Sequence, residues 1–392
     1  MDDNLEIRFQ STYDVKLNKF SLPLVSVIII NYNYGRFLRE AVDSVFAQNY
    51  PTIECIIVDN ASTDDSGDIL LDLSRQYPSA VILRRSENGG QSIALKEGFE
   101  ASSGEYAVFL DADDVLLPAF IETHIFVHLS LRIPVGFSSS DMIQAVQSRL
   151  VLGTIAYLSE FVRSGRGNRP GLLRRIDESA PSMWPLRSPD AALEDQVHLV
   201  ERSDAGDWMW APTSGNCFRR DALQLLLKNE ELAALRSCTD AYLLRGVNIV
   251  TGSVVIDRPL GVYRLHGMNA FSKHPHLNDV LSYDRNTPSD HNQLGRKMIM
   301  NHLIANAPLF LQKMPSPGHY INALKAMDDA WPRLPSIVPG CRSYLAGKVV
   351  TEAATLAPAL GLSNFIGLLN RLKVAPHVIL KACLKHATAK RS

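Results

Sequence analysis

Four short, almost wholly apolar and β-branched runs near the start of the chain constrain its fold more than any other feature. They are residues 24–30 (Leu-Val-Ser-Val-Ile-Ile-Ile), 53–58 (Ile-Glu-Cys-Ile-Ile-Val), 80–83 (Ala-Val-Ile-Leu) and 106–110 (Tyr-Ala-Val-Phe-Leu). A strand with one face in water alternates apolar and polar residues, whereas an unbroken apolar run belongs to a strand covered on both faces, as in a parallel sheet. Between the runs, residues 35–47, 65–76 and 90–101 have helical length, the first with Phe37, Leu38, Val42, Val45 and Phe46 on one side. Strands alternating with such helices predict an α/β domain with right-handed crossovers.

The polar residues that follow these runs then fall in one place. Asn31-Tyr32-Asn33 follows the first, Asp59-Asn60 the second, Arg84-Arg85 to Asn88-Gly89-Gly90 the third and Asp111-Ala112-Asp113-Asp114 the fourth. In a parallel sheet these positions gather at the carboxyl ends of the strands, where open α/β folds place their ligand crevice.

Composition narrows the class of function. The chain has 392 residues, 46% hydrophobic and 21% charged, which is globular rather than disordered. A formal net charge of -1 gives no global reason to expect nucleic acid as a partner. The five cysteines, Cys55, Cys217, Cys238, Cys341 and Cys383, are odd in number, far apart and never in a Cys-x-x-Cys pair, so neither a disulfide framework nor a zinc module is expected. The acidic N-terminus has no signal-peptide pattern, and no uncharged stretch reaches the roughly 20 residues of a membrane span. A cytoplasmic location, with peripheral membrane contact as an extension, is the expectation.

From about residue 134 the pattern changes to short strand candidates (134–138 and 254–257) and long irregular segments, notably 163–190, as in a variable substrate-binding half. After about 273 the chain reads as helical, interrupted by prolines. The expected division is therefore 22–137, 138–272 and a helical region 273–392. From Ala353 onward there is no acidic residue, while Arg371, Lys373, Lys381, Lys385, Lys390 and Arg391 are basic. This tail reads either as an interfacial helix on anionic lipid or as a packed helix with a solvated basic side.

An Asp-x-Asp pair on a turn offers hard oxygen ligands to a divalent cation, which can bridge two phosphates of a nucleotide. Such pairs are common on solvated turns; this one gains meaning because it directly follows Val108-Phe109-Leu110 at the expected crevice. Here the sequence resembles the family-2 glycosyltransferases, through Val25 to Asn33, Ile57 to Asp64, Asn88-Gly89-Gly90 with Ala94 and Gly98, and Ala101 to Asp114. The resemblance implies a GT-A type nucleotide-diphospho-sugar transferase fold, with a mostly parallel central sheet and here a C-terminal helical region. It departs from the family at Ile30, where proline is frequent, and at Lys96, where asparagine is common.

By the same resemblance Asp59 contacts the base, Tyr32 and Asn33 line the base and ribose pocket, and Asn88 borders the donor. Asp111 touches ribose or metal, and Asp113 is the principal ligand of a Mn or Mg ion. The segment Pro212 to Arg220, with Arg219, resembles the part placed beside the diphosphate and acceptor. Thr239-Asp240 follows, with Asp240 as the general base; Glu194-Asp195 is a competing carboxylate pair that breaks the family's order. Tyr263-Arg264-Leu265-His266 resembles the closing motif, making His266 a metal or diphosphate ligand and Arg264 a phosphate-side candidate. Trp208 and Trp210 offer stacking faces for an acceptor sugar, or equally core packing. The implied activity is inverting, metal-dependent hexosyl transfer from a nucleotide-sugar, expected to be a UDP-sugar, to a hydroxyl of a glycan or lipid-linked acceptor in surface polysaccharide or glycoconjugate synthesis. The alternative is a non-catalytic nucleotide-sugar-binding protein of the same fold. A nicotinamide dehydrogenase is disfavoured, because Asn31-Tyr32-Asn33-Tyr34-Gly35 stands where Gly-x-Gly-x-x-Gly would follow the first strand. A sugar-nucleotide pyrophosphorylase would need an early glycine-rich loop with a basic residue.

Overall fold

The computed structural model describes residues 21–174, 191–267, 269, 290–330 and 333–389. The four apolar runs form β1 (Val25–Asn31), β2 (Ile53–Asp59), β3 (Val81–Arg84) and β4 (Tyr106–Asp111), and between them lie α1 (Gly35–Phe46), α2 (Ser66–Gln76) and α3 (Gln91–Glu100). The strands lie in the order β3-β2-β1-β4, all parallel, with Asn31 level with Asp59 and Ile30 level with Asp111. Every residue of β1 is buried, as the unbroken apolar run predicts. β3 differs: it is the edge of the sheet among the described residues, and Val81 is exposed.

The sheet continues past β4 rather than ending there. After β5 (Val115–Leu116) and α4 (Phe120–Ser130), the chain forms β6 (Phe137–Val146), β7 (Arg149–Leu152), α5 (Ala156–Arg163) and β8 (Val197–Val200). Next come β9 (Asn216–Arg219), α6 (Arg220–Leu227), α7 (Thr239–Thr251) and β10 (Ser253–Leu265). β9 runs antiparallel between β4 and β6 and joins the two halves into one ten-stranded sheet. The expected boundary at 137/138 thus falls inside β6. That strand is twice the expected length because Ser138, Ser139, Ser140 and Asp141 are buried in it, a polar run that does not read as a strand. Part of the expected irregular segment 163–190 lies outside the described residues.

Period-two alternation sends Val25, Val27 and Ile29 to one face and Ile28 and Ile30 to the other. The first set packs with Leu38, Val42 and Val45 of α1 and Phe120 and Ile125 of α4. The second packs with Leu95 and Phe99 of α3, Leu223 of α6 and Leu243 and Val247 of α7. That second core runs on without a break into the C-terminal helices α8 (Asp290–Ala305), α9 (Ala307–Lys313), α10 (Pro317–Asp329), α11 (Tyr344–Thr351), α12 (Ala353–Leu360), α13 (Leu362–Arg371) and α14 (Pro376–Ala389). In α14 the buried Val378 and Ala382 join this core, while Leu380 is exposed. Lys390 and Arg391 of the basic tail lie outside the described residues. Among the described residues, no single helix is long and apolar enough to cross a membrane.

Candidate active site

Because β1, β2 and β4 are parallel and in register, the residues that end them lie side by side. A cavity of about 300 Å³ opens there, lined among others by Tyr32, Asn88, Gln91, Asp111, Asp113, Arg236 and Asp240. The volume falls at the lower end of the range of small-molecule sites.

At the β1 and β2 ends the side chains are held by one another. Asn31 Nδ2 donates to Asp59 Oδ1 at 3.0 Å and to Ser66 Oγ at 2.9 Å, which fixes the buried Asp59 carboxylate. Asn33 adopts a left-handed backbone, φ 60, and its Oδ1 accepts from the Thr63 N–H at 2.7 Å. Asp59 and Asn33 border this cavity without lining it, whereas Tyr32 and Asn60 form part of its wall. Asn60 Nδ2 donates to Asn88 Oδ1 at 3.1 Å, and the same oxygen accepts from the Gly90 N–H at 2.8 Å.

Gly90 and Gln91 tie this donor side to the start of α7. Gly90 has φ +85, and a Cβ there would lie 2.8 Å from Arg236 Cα and 2.9 Å from its carbonyl oxygen, so only glycine fits. The Gln91 N–H donates to that carbonyl at 2.8 Å. The Gln91 side chain donates to Asp111 Oδ1 at 3.3 Å and accepts from the Thr239 N–H at 3.2 Å. A single side chain thus spans from the acidic cluster to the helix turn that carries Asp240.

The four-residue acidic cluster divides its labour. Asp114 is structural: Oδ2 accepts from Ser214 Oγ at 2.6 Å and Oδ1 from the Arg264 N–H at 3.1 Å, which pins the turn after β4 to β10. Asp113 Oδ2 lies 2.8 Å from His266 Nε2, and the His266 ring packs against Tyr34 and Phe37 at 5.3 and 5.1 Å between centroids. Asp111 has hydrogen-bond partners in Thr213 and Gln91, yet burial, then the charges of Asp113 and Asp240, push its carboxyl up to about 7. Burial also raises Asp240, offset in part by the Ala241 N–H at 2.8 Å and by the Arg245 charge.

The donor set suits a divalent cation. Asp113 is buried and Asp111 half-buried, and the two carboxylates repel each other, a situation that a cation between them relieves. Among the described residues, no group of three or more His, Cys, Asp or Glu side chains is arranged to hold a metal ion unaided. Two carboxylates with substrate phosphates completing the shell is the usual arrangement for Mg. His266 spends Nε2 on Asp113, so it orients that carboxylate rather than offering the same nitrogen to the ion.

Five other expected residues are placed elsewhere. Trp210 is wholly buried and donates from Nε1 to Ser253 Oγ at 3.0 Å, so it is a core residue with no face for a sugar. Arg219 is level with Tyr106, the first residue of β4, and pairs with Asp221 at 2.8 Å; because β9 is antiparallel to β4, its end lies at the end of β4 remote from the cavity. The Arg264 side chain pairs with Glu40 at 2.6 Å and is not part of the cavity wall. Glu194 and Asp195 lie in the turn Ala191–Gln196 before β8, also away from the cavity. Sequence reasoning missed Gln91 and Arg236, and reached Thr213 and Ser214 only as members of the segment Pro212 to Arg220. Of the two missed, only Gln91 carried a signal, as the residue that follows Asn88-Gly89-Gly90.

Residues 26–128 match the family model "Glycosyl transferase family 2". An uncharacterized glycosyltransferase of Nostoc sp. is 32% identical over 245 residues, 62% of this chain and 66% of that protein. The glycosyltransferase GlyG of Streptococcus pneumoniae is 37% identical over 100 residues, 26% of this chain and 33% of that protein. The chain thus spans just under two thirds of the first relative and a third of the second. A crystal structure of S. aureus TarS in complex with UDP superposes with TM-score 0.47 at 14% identity, covering 94% of this chain and 89% of that one.

Proposed function

Since the chain belongs to glycosyl transferase family 2, we propose that it transfers a sugar from a nucleotide-diphosphate donor, a UDP-sugar, to a hydroxyl of a glycan or lipid-linked acceptor, with inversion. The observation that carries this reading is the Gln91 bridge, which holds Asp111 and the first turn of α7 at one cavity. A donor-binding carboxylate and a candidate base thereby face the same space.

In this reading Tyr32 and the Asn88 edge receive the nucleoside, and Asp59, held by Asn31, accepts from the base. Asp240 takes the proton of the acceptor hydroxyl as its oxygen bonds to the anomeric carbon. The bond from that carbon to the diphosphate oxygen breaks on the opposite side, its electron pair leaves with the nucleoside diphosphate, and the centre inverts. A carboxyl raised by burial makes Asp240 a stronger base than a solvated aspartate, and the Arg245 charge opposes that rise. Asp111 and Asp113 would hold a Mn or Mg ion, which neutralises the charge growing on the departing diphosphate. His266 keeps Asp113 in place for that task. The proposed setting is surface polysaccharide or glycoconjugate assembly at the cytoplasmic face.

The test is nucleotide release over a panel of sugar nucleotides, with and without an acceptor and with Mn, Mg or chelator. The reading expects release that requires acceptor and metal together and disappears in Asp240→Asn. Donor binding without any release across the panel would favour the non-catalytic alternative. Undiminished turnover in Asp240→Asn would move the base elsewhere.

A further inference from the structure

Arg245 sits on α7 five residues beyond Asp240, about 7.5 Å further along the helix axis. Its guanidinium lies over the Trp208 ring, 5.1 Å from the centroid, and Trp208 in turn packs edge-on against the core residue Trp210. Yet Nε and Nη1 of Arg245 are shielded from solvent and have no hydrogen-bond partner, while the residue as a whole is only half-buried. A buried donor without an acceptor is costly, and a buried unpaired cation more so.

The neighbouring charges do not supply the missing acceptor. Asp207 pairs with Arg166 at 3.3 Å, and Asp240 Oδ1 accepts from the Ala241 N–H. Arg296, the nearby cation, shows the contrast: its Nε and Nη2 donate to the carbonyls of Met327 and Ala330. Burial and the Arg296 charge lower Arg245 to about 10, so it stays cationic at neutral pH.

We propose that Arg245, seated on Trp208, is the recognition group of an acceptor-side subsite for an oxyanion, a phosphate or carboxylate on the molecule whose hydroxyl faces Asp240. The inference rests on the transferase reading for the word acceptor, but the anion site stands on its own geometry. A guanidinium fork bound to an oxyanion gains paired, charge-assisted hydrogen bonds, and the aromatic face below it holds the fork flat.

The test is calorimetry and tryptophan fluorescence with inorganic phosphate and with glucuronate, against chloride at matched ionic strength. The probes are titrated into protein saturated with UDP and Mg, so that the donor cavity is filled, and into protein without UDP. Wild type should bind at least one probe saturably, phosphate or glucuronate telling which oxyanion fits. Arg245→Gln should weaken that binding about tenfold or more, with Arg245→Lys between them. Arg245→Gln should also unfold near the wild-type temperature, since Nε and Nη1 make no hydrogen bond that the change could break, and should bind UDP as wild type does. Equal probe binding in Arg245→Gln, or none in wild type above the chloride level, overturns the proposal. So does a marked loss of stability in Arg245→Gln, which would make the residue structural. If wild type fails to bind UDP, the transferase reading falls, while the comparison without UDP still decides the anion site.

Discussion

Asp59 and Asp111 stand at the ends of strands that flank β1, and the ladder register alone brings them together. Asp240 stands on the first turn of α7, and it reaches the same cavity through Gln91, Gly90 and the Arg236 carbonyl. The donor side is thus fixed by the sheet, and the acceptor side by a few contacts between distant segments. Changes to those contacts should disturb transfer while sparing donor binding, and changes within the donor side should weaken donor binding and transfer together.

The largest expected effect isolates the acceptor side. Asp240→Asn should lower turnover about a thousandfold, within the range for loss of a general base, with UDP affinity changed less than about twofold. Nucleotide-release kinetics and calorimetry measure the two separately; parallel losses would break the division.

Gly90→Ala attacks the joint between the sides. A strained positive φ and a Cβ against the Arg236 backbone should cost about 2 kcal/mol in urea unfolding and lower turnover more than donor affinity. Wild-type stability would show that the loop moves aside.

The seam beneath the sheet can be tested by pH. His124 Nδ1 and His128 Nε2 share Ser138 Oγ at 2.6 and 3.0 Å, and burial holds both rings below their ordinary range, His128 at about 4. Below about pH 6.5 the unfolded chain takes up protons that these native rings refuse. Stability should therefore fall as pH drops from 6.5 towards 4, by about 1.4 kcal/mol per pH unit for each histidine. In urea unfolding, His124→Asn with His128→Asn should flatten that slope; an unchanged slope would assign the acid sensitivity elsewhere.

The smallest effect is expected at His266. His266→Gln should reduce metal-supported UDP binding about tenfold, as loss of an orienting partner does, without abolishing it. Complete loss would make His266 a ligand in its own right.

The same contrast explains what was legible in the sequence. Unbroken apolar runs announce β1, β2 and β4, and a parallel sheet leaves no freedom about where their ends go, so Tyr32, Asp111 and Asp113 could be placed together from the chain alone. Asp240 was marked only by order and resemblance. Arg219 was misplaced because spacing does not reveal strand direction: an antiparallel strand carries it to the end of β4 remote from the cavity. Trp210 was ambiguous because a tryptophan beside an acceptor segment and one in a core look alike until its N–H finds Ser253. Arg236 and the Gln91 bridge depend on contacts between segments about 145 residues apart, for which one sequence carries no pattern.

The central claim is that the β4-end carboxylates Asp111 and Asp113 make a metal-assisted nucleotide-diphosphate site. Its most direct measurement is calorimetric titration of UDP, in Mn and in chelator, into wild type and the double variant Asp111→Asn with Asp113→Asn. The expected result is binding by wild type that needs Mn, and no Mn-dependent binding in the variant. UDP binding of equal strength in chelator, or in the double variant with Mn, would contradict it.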